Sequence, residues 1–305
     1  MGSIRQDRST GIFGELGARP NLIPIELHVH SSRSGNQRYR MELVNDRFLS
    51  PFLLQVAVFN AIDATERLLG PSTVRVRGAI EFAGGAPAVE LDNIYSGEGN
   101  IALQAALGAA LPMAQVMQSG FADLQVGRVR LDLASVDQRK QLRLERAWAS
   151  RREVKPGERL ELSAVLRTED GSEILRQTTW EVPYGVPAGT LQVTFADGQS
   201  MNLLDLRMPS AGREAPTGAQ LVRALNRTRK NSSLFVRLWR QDRGFQLQND
   251  QLPSPPASLR SILSAGPATS GGITNTWTAL VAEIELDGAA SAVSGSETIR
   301  ITVKE

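Results

Sequence analysis

The chain has 305 residues, 41% of them hydrophobic, no cysteine and a formal net charge of +2. That length favours two or three domains, each able to bury its own core, and the missing cysteines exclude disulfides, thiolate metal sites and cysteine nucleophiles. Charge is local: Arg213 to Arg243 holds eight basic residues against Glu214 and Asp242, a balance of +6 that leaves −4 for the rest.

No run reaches the roughly 18 to 20 apolar residues of a membrane span. The stretches from Phe52 to Phe59 and from Ile101 to Val116 are broken by Gln55, Gln104 and Gln115, so no span is expected. The opening residues, Met1 to Arg8, contain no apolar stretch of the kind that forms a signal peptide.

In chain order, Ile12 to Gly14 reads as extended, Asn21 to His30 as a longer strand and Arg38 to Val44 as another. Ser50-Pro51 then offers a helix cap followed by proline at the first helical position. The helix is expected to run from Phe52 to Leu69, largely buried, and to stop at Gly70-Pro71. In Thr73 to Phe82, Val74, Val76 and Ile80 alternate with Arg75, Arg77 and Glu81, the period of a half-buried strand. Ala88 to Ile94 is a further strand. Asn100 to Gln118 is rich in Ala and Leu and reads as a helix that Pro112 ends or divides. A first boundary is placed near Gly120.

From Phe121 to Phe195 the pattern becomes successive strands separated by turn signals: Asp123 to Leu133, Gln141 to Ala149, Arg159 to Arg167, Glu173 to Pro183 and Gly189 to Phe195, with turns that include Asp170-Gly171 and Asp197-Gly198. Leu160, Leu162, Ala164 and Leu166 share one face of the third. Thr217 and Gln220 have the spacing of a capping box for a helix to about Arg229. A strand from Leu234 to Gln241, a short helix from Pro253 to Leu263 and strands over Thr276 to Leu286 and Ser296 to Val303 follow. The expected fold class is α+β, predominantly β. It comprises a mixed α/β region over residues 1–120, an immunoglobulin-like antiparallel β-sandwich over 121–207 and a smaller β-rich domain over 208–305 with one or two short helices.

Chemistry is sparse. His28 and His30, the only histidines, share one strand face and so have a spacing that can chelate a metal, but the sequence supplies no obvious third ligand. An independent metal-dependent hydrolase using this pair is one reading, and two polar side chains on the solvent face of an edge strand is the other. No Gly-x-Ser-x-Gly elbow accompanies either histidine. The 32 carboxylates lie mainly at alternate strand positions or in turns, and a glycosidase-like pair stays open because such residues can meet from anywhere in a chain. Neither diglycine has the context of a phosphate loop, and no cofactor is expected.

The basic segment is the candidate contact surface. Arg223, Arg227, Arg229 and Lys230 cluster at a helix end, and Arg237 and Arg240 flank Trp239 in the next strand. Such a surface suits a polyanion, an acidic protein or an envelope polymer. Cations at a helix C-terminus are also favoured by the helix dipole without any ligand, and no nucleic-acid motif accompanies them.

The opening from Gly2 to Gly17 with Pro20 and Ile23-Pro24 resembles a segment of the large bacterial proteins that carry a SpoIVB-type serine peptidase domain. Arg47 to Pro51, Ala64 to Arg67, Val74 to Gly78, Ala147-Trp148 with Arg151 to Glu158, and Leu252 to Leu263 resemble the same proteins' downstream region. In that family the nucleophilic serine lies in a Gly-Met-Ser-Gly-Ser-Pro-like motif and the histidine in a Gly-His-Pro-Phe-like motif. Neither occurs here, so no catalytic position carries over. The resemblance implies that residues 1–120 are the trailing part of a peptidase-associated region, and that the chain is a non-catalytic accessory region whose partners are the upstream peptidase domain and another protein. It also implies export to the periplasm or cell envelope.

Overall fold

The computed structural model describes residues 2–8, 11–16, 20–31, 33, 35–64, 70–207, 217–247, 250–252, 273–288 and 290–305. The fold is α+β and predominantly β. Strands β1 (Gly2–Arg8) and β2 (Gly11–Leu16) form an antiparallel pair. Then come β3 (Leu22–Ser31), β4 (Gly35–Val44), α1 (Leu49–Asp63), β5 (Pro71–Phe82), β6 (Val89–Glu98), α2 (Ile101–Gln118) and β7 (Val126–Val136).

Strands β3 to β7 make one five-stranded sheet in the order β4-β3-β7-β5-β6, antiparallel except for the β3–β7 pair. Strict alternation sends Ile23, Ile25, Leu27 and Val29 of β3 into the core, with Val129, Leu131 and Leu133 of β7 beside them. Helices α1 and α2 cover that face. The boundary expected near Gly120 does not coincide with the edge of this sheet, because β7 inserts at its centre between β3 and β5. Gly78 on β5 has φ +148°, and a Cβ there would sit 2.0 Å from the carbonyl oxygen of Arg130 on β7. Only glycine allows that approach.

Both helices depart from their expected form. α1 begins at Leu49, ahead of the expected cap: the Asp46 carboxylate accepts the N–H groups of Phe48 and Leu49 at 2.9 and 2.8 Å. Ser50 is buried in the first turn and donates to the Val44 carbonyl at 2.6 Å. The helix is not largely buried either, since Leu49, Phe52 and Val56 face outward. α2 is capped by the Asn100 side chain, which accepts the Leu103 N–H at 2.9 Å, and runs unbroken through Pro112. A Cβ on Gly108 would fall 1.7 Å from the Tyr95 hydroxyl, so the missing side chain lets β6 and α2 close on each other. α2 is the one described helix long and apolar enough by length and composition to cross a membrane, and eight of its 18 residues are buried against the sheet and α1.

The second core is a sandwich. After β8 (Gln141–Ala149), β9 (Glu153–Val154), β10 (Arg159–Arg167), β11 (Glu173–Glu181) and β12 (Gly189–Asp197) come α3 (Gly198–Arg207), α4 (Gly218–Asn226), β13 (Ser233–Leu247), β14 (Asp250–Leu252), β15 (Ile273–Asp287), β16 (Ala292–Ser294) and β17 (Ser296–Val303). One sheet has the order β11-β10-β8-β16; the other has the order β14-β13-β12-β17-β9, with β15 on β13. Leu160, Leu162, Ala164 and Leu166 face Leu191, Val193, Phe195, Leu234, Val236, Leu238 and Ile301 in a single core. Residues 121–207 and 208–305 are therefore not separate units: β12 pairs with β13 and β17, and the sandwich closes only with strands from the last third. Two short pairings, β16–β8 and β17–β9, are parallel. The helix expected from Pro253 to Leu263 lies outside the described residues.

α3 replaces the turn expected at Asp197-Gly198. The Asp197 carboxylate accepts the Ser200 N–H at 2.8 Å and the Gly295 N–H at 2.9 Å, which starts a helix. α4 follows Thr217, whose hydroxyl accepts the Gln220 N–H at 3.3 Å, and its Val222 enters the first core. Beyond it, the Asn226 amide accepts the Glu90 N–H at 2.9 Å and donates to the Ala88 carbonyl at 3.0 Å, as a partner strand would. The edge of β6 is thereby covered, while β4 has no second strand partner among the described residues.

Candidate functional site

The candidate surfaces are the face of the five-stranded sheet opposite the helices, the basic segment and the outer side of the α1/α2 layer. On the sheet, alternation sends Glu26, His28 and His30 of β3 away from the core, and register sets His28 between Arg38 on β4 and Asp132 on β7. Arg77 lies beyond Asp132, and Asp92 beyond Arg77. Around the small residues Gly78, Ala79 and Ala88, all of these side chains except His30 line a shallow cleft of about 670 Å³.

The cleft is a checkerboard of opposite charges. His28 Nδ1 lies 3.3 Å and His30 Nε2 3.8 Å from the same Asp132 oxygen, while His30 Nδ1 is 3.0 Å from Asn36 Oδ1. His28 Nε2 is buried without a partner among the described residues. Arg38 and Arg40 face Glu26 at 3.6 and 3.5 Å, Arg75 and Arg77 face Asp92 at 3.0 and 3.5 Å, and Arg130 pairs with Glu81. Structure thus supplies the carboxylate neighbour of the histidines that sequence did not. Among the described residues, however, no group of three or more His, Asp or Glu side chains is set to hold a metal ion. The cleft lining contains no serine, threonine or cysteine.

A general acid in a glycosidase-like pair needs a carboxyl group raised above its ordinary range. Among the described residues, the carboxyl groups that shift clearly all move the other way. Burial pulls Asp92 up, but hydrogen bonds from Lys230 and Arg75 and their charges outweigh it and hold the group low. Backbone N–H groups of Leu49 and Phe48 lower Asp46, and the Thr168 hydroxyl lowers Asp170.

The basic segment is dispersed by the fold. Arg223 and Arg227 lie exposed on and just beyond α4. Lys230 is spent on Asp92 at 2.9 Å, a bond that ties the loop after α4 to the first sheet. Arg229 makes a bidentate pair with Glu283 at 2.6 and 3.0 Å and reaches Asp205 at 2.5 Å. Arg237, only 3% exposed, bonds the same two carboxylates at 2.7 and 2.8 Å. The covering element is α3, whose Met201 and Leu204 pack on Phe235 while Asp205 meets the guanidinium groups.

Burial opposes the charge on both Arg229 and Asp205, but their ionic partners prevail: Glu283 and Asp205 push Arg229 up, and Arg237 and Arg229 together hold Asp205 low. Trp239 is half-buried, its indole N–H donating to the Thr194 hydroxyl at 2.9 Å, and Arg240 donates to the Pro187 carbonyl at 2.8 Å. The six cations and Trp239 do not converge on one anion site. Sequence reasoning missed Asp205 because it read Asp197-Gly198 as a turn; Asp197 with Ser200 three residues on was the available signal for a helix cap.

The third surface carries no charge along its two helices short of Asp63. Between Leu49 and Ile62 and throughout α2 no residue is ionisable, and Asp63 alone closes the pair. Its outer side presents Leu49, Phe52 and Val56 from α1 and Leu103, Leu107 and Leu111 from α2; Phe52 is 57% exposed, Leu107 47% and Leu111 60%. Phe48, stacked under the Arg47 guanidinium 4.7 Å away, extends it. No protein-family model, no curated protein and no solved structure matches the chain.

Proposed function

We propose that this chain is a non-catalytic interaction region of an exported bacterial protein of the kind it resembles, one with a SpoIVB-type serine peptidase domain, and that it packs on or presents partners to that domain in the periplasm or cell envelope. The observation that carries the interaction reading is the outer side of the α1/α2 layer. Seven large apolar side chains are exposed there, with Arg47 over Phe48 as the one charge against them among the described residues. The largest apolar patch on a typical monomeric protein is about 300–600 Å² and is often functional. A helix that is apolar all round belongs in an interior or an interface.

Supporting the non-catalytic half, the cleft's arginines Arg38, Arg77 and Arg130 each face a carboxylate, and the family's serine and histidine motifs do not occur between residues 1 and 305. The test has two arms. The purified chain is expected to leave an unfolded protein substrate uncleaved, and the natural reading frame is expected to carry both motifs ahead of residue 1. Proteolysis by this chain alone, abolished by a serine-directed reagent, overturns the proposal; so does a reading frame without the motifs.

A further inference from the structure

The helix layer also specifies a partner. This step rests on the interaction reading above and identifies what covers the face. We infer that the outer side of α1 and α2 is the contact between two copies of this chain, packed helix layer on helix layer around a two-fold axis.

Three features point to a second copy. First, the topology makes the two helices run in opposite directions. α1 starts where β4 ends, at the end of the sheet where β3 begins, whereas α2 starts where β6 ends, at the opposite end. An antiparallel pair turned over by a two-fold axis presents the same antiparallel pair to itself, the self-complementarity that an isologous interface requires. Second, the spacing suits helix-on-helix packing. Leu103, Leu107 and Leu111 on α2 and Phe52 and Val56 on α1 recur every four residues, forming the ridges that interlock when helices cross.

Third, the area matches. From their fractional exposures the seven side chains leave roughly 600 Å² bare on one copy. Two such faces bury about 1,200 Å² before the intervening alanines and glutamines are counted, the lower end for a specific, stable interface. Apart from Arg47 ahead of α1, a second copy also brings an uncharged face, so the helix-on-helix contact buries no unpaired ion. A strongly acidic or basic partner gains nothing here.

The experiment is sedimentation velocity and light scattering on the 305-residue chain across the micromolar range, with Phe52→Glu, Leu107→Glu and Leu107→Met variants. A control is Leu175→Glu, at an exposed apolar position on β11 far from the helices. Wild type, Leu107→Met and the control are expected to run as dimers, and each helix-face glutamate to weaken dimerisation more than about tenfold with unchanged circular dichroism and cooperative melting. A wild-type monomer throughout, or a dimer indifferent to both glutamates, overturns the inference. Flotation of a monomeric wild type with phosphatidylglycerol vesicles, lost in Leu107→Glu, assigns the face to lipid and overturns it too. If the chain is monomeric but Leu107→Glu severs its association with the peptidase domain, the inference fails while the interaction reading stands.

Discussion

Arg237 and Glu283 stand directly opposite each other in the β13–β15 ladder, and their side chains are joined at 2.8 Å beneath α3. Glu283 is also gripped by Arg229, so its removal leaves a nearly inaccessible guanidinium with Asp205 as its remaining acid. Breaking one side of such a pair costs about 3–5 kcal/mol, whereas replacing a whole ionic group by apolar residues is often neutral. Glu283→Ala is expected to lower the urea midpoint accordingly, and the fourfold change that adds Arg229→Met, Arg237→Met and Asp205→Leu, which removes the whole group, to recover much of the loss. Equal instability of the fourfold variant would show that the charges themselves contribute the stability.

The exposed cations behave differently. Arg223 and Arg227 make no ion pair with a described residue, so Arg223→Ala with Arg227→Ala is expected to change unfolding free energy by no more than about 0.5 kcal/mol. With Arg229, Lys230 and Arg237 already engaged, the basic segment's share of retention on an anionic-polymer column rests mainly on these two among its described residues. It is expected to disappear at modest salt in wild type and earlier in the double variant. Tight, salt-resistant retention would restore the polyanion-binding reading.

Acid sensitivity follows from Asp92 and Asp205. Both lie below their ordinary value in the folded protein despite burial, because Lys230 and Arg75 hold the first and Arg237 and Arg229 the second. A depressed folded value contributes stability above the unfolded value of about 3.9 and loses it as pH falls through the folded one. Urea midpoints are therefore expected to stay level through neutral pH and drop below about pH 4. Asp92→Asn with Asp205→Asn lowers the neutral plateau and flattens that drop; an unchanged acid limb would rule these two groups out as its cause.

Gly78 is a backbone requirement. Alanine there must take a φ of +148° and meet the Arg130 carbonyl at 2.0 Å, which no rotamer relieves. Gly78→Ala is expected to cost more than about 3 kcal/mol, or to prevent folding, by prising β5 from β7. Measured stability near that of wild type would mean the two central strands can part without loss.

Much of the fold is legible in the sequence because it rests on period. Alternation marks β3, β5, β8 and β10 with ends close to those found, and Leu160 to Leu166 fall in the core as their spacing requires. Non-local facts are not legible. Nothing around Val126 to Val136 says that it enters a sheet begun a hundred residues earlier, and a basic run such as Arg229 to Arg240 looks like a surface until α3 brings Asp205 over it. The apolar outer side of α1 misleads for the same reason: Phe52 and Val56 read as buried, and within one chain they are not.

The position of β17 sets an order of events during synthesis. The first sheet is complete once Val136 has left the ribosome, and its contacts span few intervening elements. The sandwich must wait: β12 needs β17, whose Ile301 and Val303 close the core from more than a hundred residues away. Until then one edge of β12 stays open and the sandwich core lacks Ile301 and Val303. This unfinished half is the part of the nascent chain most in need of a chaperone, and any truncation before residue 296 leaves it permanently in that state.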